Sequence, residues 1–231
     1  WWGPVDTVAI GAVALAGVAT VVALYFAGRR WVGDHAALAG TATLAAMQLH
    51  VAYSRQAGTE VPFAFLLLVA AWACTAAFDR KSFVLAAAAG VAAVGSILVQ
   101  YRGLPDLRAA APSDALHLFA RSTWTWISPL ALAPAILGLV VMARRRSRGD
   151  VVLLAWTALC LLALVFLRPD PVNLVPILAP LALAAGTGLD AIARRIAPEW
   201  TRGRAAILTL LMLAPAAGGT FTMLGLEDRG Y

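Results

Sequence analysis

A short polar turn, residues 53–60, carries the side chains of this chain that are best suited to chemistry. It reads Tyr-Ser-Arg-Gln-Ala-Gly-Thr-Glu and separates two long apolar runs. An arginine at such a boundary can bind phosphate through paired, charge-assisted hydrogen bonds, and a carboxylate can accept a proton from a hydroxyl group. Arg55 and Glu60 are therefore candidates for a site that faces the membrane surface. The polar side chains beside them add further candidates for substrate binding: Tyr53, Gln56 and His50.

The same turn also has a purely structural interpretation. Thr59 is well placed to cap the helix that follows, and Glu60 falls in its first turn, where a negative charge suits the helix dipole. Pro62 in that turn removes no internal hydrogen bond. Under this interpretation Arg55 and Glu60 are ordinary loop residues at the edge of the hydrocarbon.

The composition requires a membrane environment for most of the chain. Of 231 residues, 61% are hydrophobic and only 13% are charged, with a mean hydropathy of +0.81. Soluble domains are about half apolar and about a quarter charged. The apolar residues fall in runs long enough to cross about 30 Å of hydrocarbon as helices. We therefore predict an all-α fold, a polytopic transmembrane helix bundle that forms a single transmembrane domain over residues 1–231.

Eight spans are predicted, with breaks that are polar, basic or rich in proline and glycine. They cover about residues 5–27, 35–52, 61–78, 82–100, 124–142, 151–167, 174–189 and 205–224. Residues 101–123, between the fourth and fifth spans, mix leucines with polar side chains. This segment is predicted either as an amphipathic helix in the outer interface or as an external loop.

The basic residues predict the orientation of these spans. Twelve of the eighteen, including the cluster from Arg144 to Arg148, fall in alternate breaks, and six fall on the other side. The positive-inside rule places the twelve in the cytoplasm. The chain is then a multi-pass protein of the cell membrane with both termini extracytoplasmic. Arg55, Arg102 and Arg168 lie at outer ends of spans, where they could converge on one phosphate.

Several function classes find no support in the sequence. It contains no phosphate loop, nucleophile elbow or cysteine and histidine spacing typical of metal sites. The basic runs lack interleaved aromatic residues, so a nucleic-acid partner is not expected. The predicted spans hold almost no ionisable residues, which disfavours a proton-coupled or ion-coupled transporter.

Four short stretches, in order, resemble the GT-C membrane glycosyltransferases, closest to relatives of the protein O-mannosyltransferases and aminoarabinose lipid A transferases (glycosyltransferase family 39). They span most of the chain: Tyr25–Gly33, Tyr53–Glu60, Gln100–Leu104 and Asn173–Leu181. Each stretch is short, so their order and spacing carry the likeness. The resemblance implies transfer of a sugar from a polyprenyl-phosphate donor to a lipid, glycan or protein at the extracytoplasmic face. Membrane lipids and the lipid-linked sugar are then the expected partners.

The resemblance also identifies departures from the family pattern. The family's acidic pair, taken as general base and contact for a divalent metal, lies in a loop that would precede Trp1. The chain starts Trp-Trp-Gly-Pro without a methionine, and we expect further residues upstream. Asp6 is the only early acid and, with Glu60, a catalytic candidate. Gly58 stands where relatives are usually basic, and Val172-Asn173 replaces a late Arg-Tyr pair.

Two alternatives to a glycosyltransferase remain open from the sequence. The first is a catalytically inactive membrane scaffold or lipid-binding protein, which the missing acidic loop favours. The second is a transporter or flippase, which the scarcity of charge within the spans disfavours.

Overall fold

The computed structural model describes residues 4–100, 129–166 and 171–197. Within those ranges the chain is entirely helical, which confirms the predicted all-α class. Eight α-helices and one 3-10 helix are present there: α1 (Pro4–Trp31), α2 (Asp34–Ala46), α3 (Gln48–Ser54), α4 (Glu60–Arg80), α5 (Phe83–Gln100), α6 (Pro129–Arg145), α7 (Arg148–Phe166), the 3-10 helix (Pro171–Leu174) and α8 (Val175–Ile196).

Three of these helices are long and apolar enough to cross a membrane. They are Thr7–Trp31 of α1, Glu60–Arg80 (α4) and Val175–Ile196 (α8), and the apolar stretch Phe83–Val99 of α5 is somewhat shorter. The chain is therefore membrane-associated through helices of transmembrane length. The predicted interfacial segment 101–123 and the predicted last span, 205–224, lie outside the described residues.

Helix α8 lies at the centre of the bundle. In its most apolar 18-residue stretch 83% of the residues are buried, against 22% in α1 and 33% in α4. The more peripheral helices expose large apolar side chains, among them Leu15, Phe83 and Val91. A bilayer accommodates such outward-facing apolar groups without cost, whereas water does not. The exposed apolar side chains of α1, α4 and α5 are thus of the kind that suits contact with lipid.

Close backbone packing through glycine fixes α8 between α2 and α6. A side-chain carbon on Gly40 of α2 would lie only 2.7 Å from the carbonyl oxygen of Ala182, and one on Gly186 of α8 would overlap the carbonyl of Ala36. On the other face, Gly138 of α6 contacts the carbonyl of Ala184 in the same way. Since lipid is as apolar as a leucine side chain, such close contact between small residues is a main source of helix association in membranes.

The predicted span 35–52 is divided into two helices in the structure. Met47 interrupts it with an extended backbone (φ −67°, ψ 118°), so α2 ends at Ala46 and α3 begins at Gln48. The break redirects α3 so that it packs on α1, where Ser54 meets Gly17. The sequence offered no glycine or proline at this position, and its unbroken apolar pattern therefore indicated one helix.

Most other predicted helix ends lie within a few residues of the observed ones, but α1 and α8 run further. They continue to Trp31 and Ile196, against predicted ends at 27 and 189. Their last turns include arginines, Arg29 and Arg30 in α1 and Arg194 and Arg195 in α8. Cations are favourable at a helix C-terminus. The arginines therefore end the apolar sequence pattern, but the helix continues through them.

A buried carboxylate organises the connection between α6 and α7. The side chain of Asp150 has no exposed surface, and it accepts two hydrogen bonds from Arg145, at 2.8 and 2.6 Å. The backbone N–H of Ser147 donates to Asp150 at 2.9 Å, and the Asp150 N–H donates to the Ser147 hydroxyl at 3.2 Å. This reciprocal capping box satisfies free donors at the start of α7. Burial raises the pKa of the Asp150 carboxyl, but these hydrogen bonds outweigh it, and the pKa lies below its ordinary value.

We expect Gly186→Ala to destabilise the bundle, because the new methyl group would overlap the carbonyl of Ala36. Overpacking of this kind costs about 1–3 kcal/mol. Gly90→Ala in α5 is the matched control, since nothing lies within 4 Å of its added carbon. Unfolding in detergent with increasing SDS measures both variants. Equal stability of the two would contradict the close packing of α8.

Asp150→Asn is expected to lower the free energy of unfolding by about 2 kcal/mol at neutral pH, because it weakens a charged hydrogen-bond network. A carboxyl with a depressed pKa stabilises the fold above its unfolded pKa, and this stabilisation is lost as the pH falls through the folded value. The difference between wild type and variant should therefore shrink below the ordinary value of 3.8. Thermal unfolding as a function of pH measures it, with Asp34→Asn, in an exposed pair with Arg29, as the control that should change little. A difference independent of pH would rule out the carboxylate as its source.

Candidate functional site

The polar turn between α3 and α4 is closed by its own backbone. The N–H of Arg55 donates to the carbonyl of Ala52 at 3.2 Å, and the N–H of Gly58 donates to the carbonyl of Gln56 at 2.8 Å. Thr59 occupies the predicted capping position of α4, but its side chain makes no cap hydrogen bond. Because the backbone holds the turn, the side chains of Arg55 and Gln56 are not needed for it, and both residues are exposed.

Glu60 is half-buried at the start of α4, and its carboxylate folds back over Gly58. A side-chain carbon on Gly58 would overlap one carboxylate oxygen of Glu60 and lie 3.2 Å from its carboxyl carbon. Any larger residue at position 58 would therefore displace this carboxylate. Gly58 stands where the family that the chain resembles usually has a basic residue. Here the glycine leaves room for the Glu60 carboxylate at the turn.

His50 lies beneath the turn and is buried, with 5% of its surface exposed. It sits in α3 where that helix packs against α1, and the backbone of Gly17 lies close to its side chain. The hydroxyl of Ser54 donates to the His50 carbonyl at 2.7 Å. Tyr53 is half-buried and packs against the hydrophobic core. His50 is therefore placed to hold α3 on α1 and is shielded from a ligand at the surface.

The structure thus places five of the eight candidate residues at one end of α4: His50, Tyr53, Arg55, Gln56 and Glu60. Arg102 and Arg168 lie outside the described residues. Asp6 belongs to α1, but its side chain is also outside the description. Gly17, which contacts Ser54, lies eleven positions after Asp6, and this corresponds to about 16 Å along a helix. The backbone of Asp6 is therefore well removed from the turn.

The groups of the turn are chemically suited to hold an anion and to accept a proton. Arg55 supplies a guanidinium and Gln56 an amide, and the first N–H groups of α4 carry the positive end of the helix dipole. Glu60 supplies a carboxylate within the same turn. Among the described residues, no three His, Cys, Asp or Glu side chains stand close enough to hold a metal ion.

The sequence did not predict a second feature, a recess of about 440 Å³ that is open to the surface and lies at the C-terminal ends of α1 and α4. We call it the basic cavity. Its walls come from the last turns of α1 and α4, the start of α2 and aromatic side chains one to two turns deeper. It is lined by Phe26, Arg29, Arg30, Asp34, Trp72 and Arg80. In the sequence these arginines indicate topology, and nothing in it shows that two helix ends meet around a cavity.

A hydrogen bond between helices supports the wall of the basic cavity. The indole N–H of Trp31 in α1 donates to the hydroxyl of Thr75 in α4 at 3.2 Å. That hydroxyl in turn donates to the carbonyl of Trp72 at 2.9 Å. The two membrane-length helices are thereby joined close to their basic ends, where Arg30 and Arg80 line the same cavity.

Comparison with protein-family models, with curated proteins and with solved structures found no match to this chain.

Proposed function

We propose that this chain forms the membrane body of a glycosyltransferase with a GT-C-like architecture of about eight spans. It would transfer a sugar from a polyprenyl-phosphate donor to an acceptor lipid, glycan or protein at the extracytoplasmic face. One observation supports this most directly. Arg55 and Gln56 are exposed at the N-terminal end of an apolar, membrane-length helix, with the Glu60 carboxylate in the same turn.

The physical case rests on where a lipid-linked donor must sit. Its polyprenyl tail stays in the hydrocarbon, so its phosphate lies at the level of the lipid headgroups, where the turn between α3 and α4 is proposed to be. A guanidinium binds a phosphate with two parallel hydrogen bonds, which fixes its orientation as well as its position. The dipole of α4 adds to the attraction. Arg55 is therefore the proposed phosphate contact.

The other candidate residues take roles that follow from their burial. Glu60, half-buried beside the turn, is the described acid nearest to Arg55 in sequence and the proposed base for the acceptor hydroxyl. Gln56 and Tyr53 are proposed to contact the substrate, whereas buried His50 positions α3. Arg102, Arg168 and Asp6 remain proposals from the sequence alone.

A lipid-binding or scaffold protein without transferase activity is the second candidate. The observation that favours it is the position of Glu60, whose carboxylate folds over Gly58 at the first turn of α4. At that position the negative charge of Glu60 already interacts favourably with the dipole of α4. Such a protein would bind polyprenyl phosphate at Arg55 and release it unchanged, so binding and transfer assays together separate the two functions.

The proposed orientation predicts which residues a membrane-impermeant thiol reagent reaches. In a background with both native cysteines, Cys74 and Cys160, replaced by alanine, Gln56→Cys should be labelled in intact cells. Arg195→Cys, in the last turn of α8, should be labelled only after permeabilisation. Labelling in the reverse order would place the polar turn in the cytoplasm and remove the basis for an extracytoplasmic donor site.

Arg55→Ala in the full-length protein should reduce sugar transfer from a polyprenyl-phosphate donor by about 30- to 100-fold. This corresponds to about 2–3 kcal/mol for a charge-assisted contact. The loss should appear mainly as a higher KM for the donor, measured with a radiolabelled lipid-linked sugar in proteoliposomes. Arg195→Ala, also an exposed arginine near a helix end, is the matched control and should retain activity. Unchanged transfer by Arg55→Ala would refute the assigned donor site.

A further inference from the structure

The basic cavity carries an excess of positive charge that the described protein does not neutralise. Three arginines line it, Arg29, Arg30 and Arg80, together with one acid, Asp34. Asp34 pairs with Arg29, whose Nε lies 2.6 Å from a carboxylate oxygen. Within the described residues Arg30 and Arg80 have no acidic partner at ion-pair distance. Two guanidiniums from two different helices are therefore available to one anion.

The position of the cavity favours a ligand whose negative charge lies at the membrane surface. Arg29 and Arg30 lie in the last turn of α1 and Arg80 in the last turn of α4. Both helices are long and apolar enough to span the bilayer, and arginines at such helix ends lie at the level of the lipid headgroups. Phosphates of phospholipids are the most abundant anions at that level, and their negative charge attracts basic clusters.

An apolar stripe on α1 leads from the hydrocarbon to the cavity. Leu15, Val18, Val22 and Phe26 recur every three or four residues, the spacing of one helix face, and each is at least half exposed. The next residue in this series is Arg30. From Leu15 to Phe26 the stripe is about 16 Å long, close to half the thickness of the hydrocarbon core. It therefore matches the acyl chain of a lipid in one leaflet.

We propose that the basic cavity is a binding site for an anionic phospholipid. The lipid phosphate lies between Arg30 and Arg80, and one acyl chain follows the stripe from Phe26 towards Leu15. Phe26 and Trp72 lie beside the glycerol region. This site is distinct from the proposed donor site, because it lies at the opposite end of α4 from Arg55.

The stripe is what favours a membrane lipid over a soluble phosphate compound. A soluble phosphate would gain only the two arginines, which are exposed to solvent and screened by salt. A phospholipid adds the burial of its chain against exposed apolar side chains, which contributes in proportion to the area covered. A molecule that presents both a phosphate and an acyl chain therefore fits the described surface best.

Binding of phosphatidylglycerol to the full-length protein in detergent tests the proposal, with native mass spectrometry as the measurement. The wild-type protein should retain phosphatidylglycerol in preference to phosphatidylcholine. The double variant Arg30→Gln/Arg80→Gln should bind phosphatidylglycerol about 30-fold more weakly, since each arginine near the surface contributes about fivefold. The control Arg144→Gln/Arg195→Gln removes two exposed charges from other helix ends and should bind as the wild type does.

A further variant should bind the lipid more tightly, a result that partial unfolding of the variant would not produce. Asp34→Asn releases Arg29 from its ion pair and should tighten phosphatidylglycerol binding by about fivefold. Equal weakening by both double variants would reduce the site to non-specific attraction and overturn the proposal. So would equal retention of the two lipids, or displacement of phosphatidylglycerol by inorganic phosphate at a concentration that matches it.

Discussion

The close approach of α8 to α2 and α6 is the constraint on which the rest of the described fold depends. At glycines 40, 138 and 186 a carbonyl group of the neighbouring helix lies so close that a side-chain carbon would overlap it. This contact buries α8 almost completely and leaves α1, α4 and α5 around it with apolar faces for lipid. In a bilayer, where apolar burial does not drive helix association, such contact supplies the dispersion and the weak hydrogen bonds that do.

A consequence of this arrangement is that the two ends of α4 acquire different character. At its start, α3 is held on α1 through Gly17 and leaves Arg55 and Gln56 exposed in a backbone-closed turn. Near its end, the hydrogen bond from Trp31 to Thr75 joins α1 to α4, and arginines of both helices line the basic cavity. Both ends present exposed guanidinium groups at the termini of an apolar helix that is long enough to cross a membrane. We infer that one end serves a lipid-linked substrate and the other a lipid of the bilayer.

Composition and hydropathy were sufficient to predict the all-α class and the approximate helix positions, because apolar runs of membrane length have few alternatives to helix. They could not predict the break at Met47, which has no glycine or proline to mark it and lies where the chain turns so that α3 packs on α1. The ends of α1 and α8 were also misplaced, since arginines end an apolar run and yet favour a helix C-terminus. The burial of His50 and the cavity around Arg30 and Arg80 depend on contacts between distant helices, which hydropathy does not report.

Photoaffinity mapping with a polyprenyl phosphate that carries a photoreactive group next to its phosphate tests the central claim most directly. The full-length protein, reconstituted in vesicles of phosphatidylcholine and phosphatidylglycerol, would be crosslinked, digested and analysed by peptide mass spectrometry. The account predicts that the probe labels the peptide containing residues 53–60 and that unlabelled polyprenyl phosphate prevents this labelling. Labelling concentrated on the peptides of Arg30 and Arg80, or spread evenly over the lipid-facing helices, would contradict the donor site.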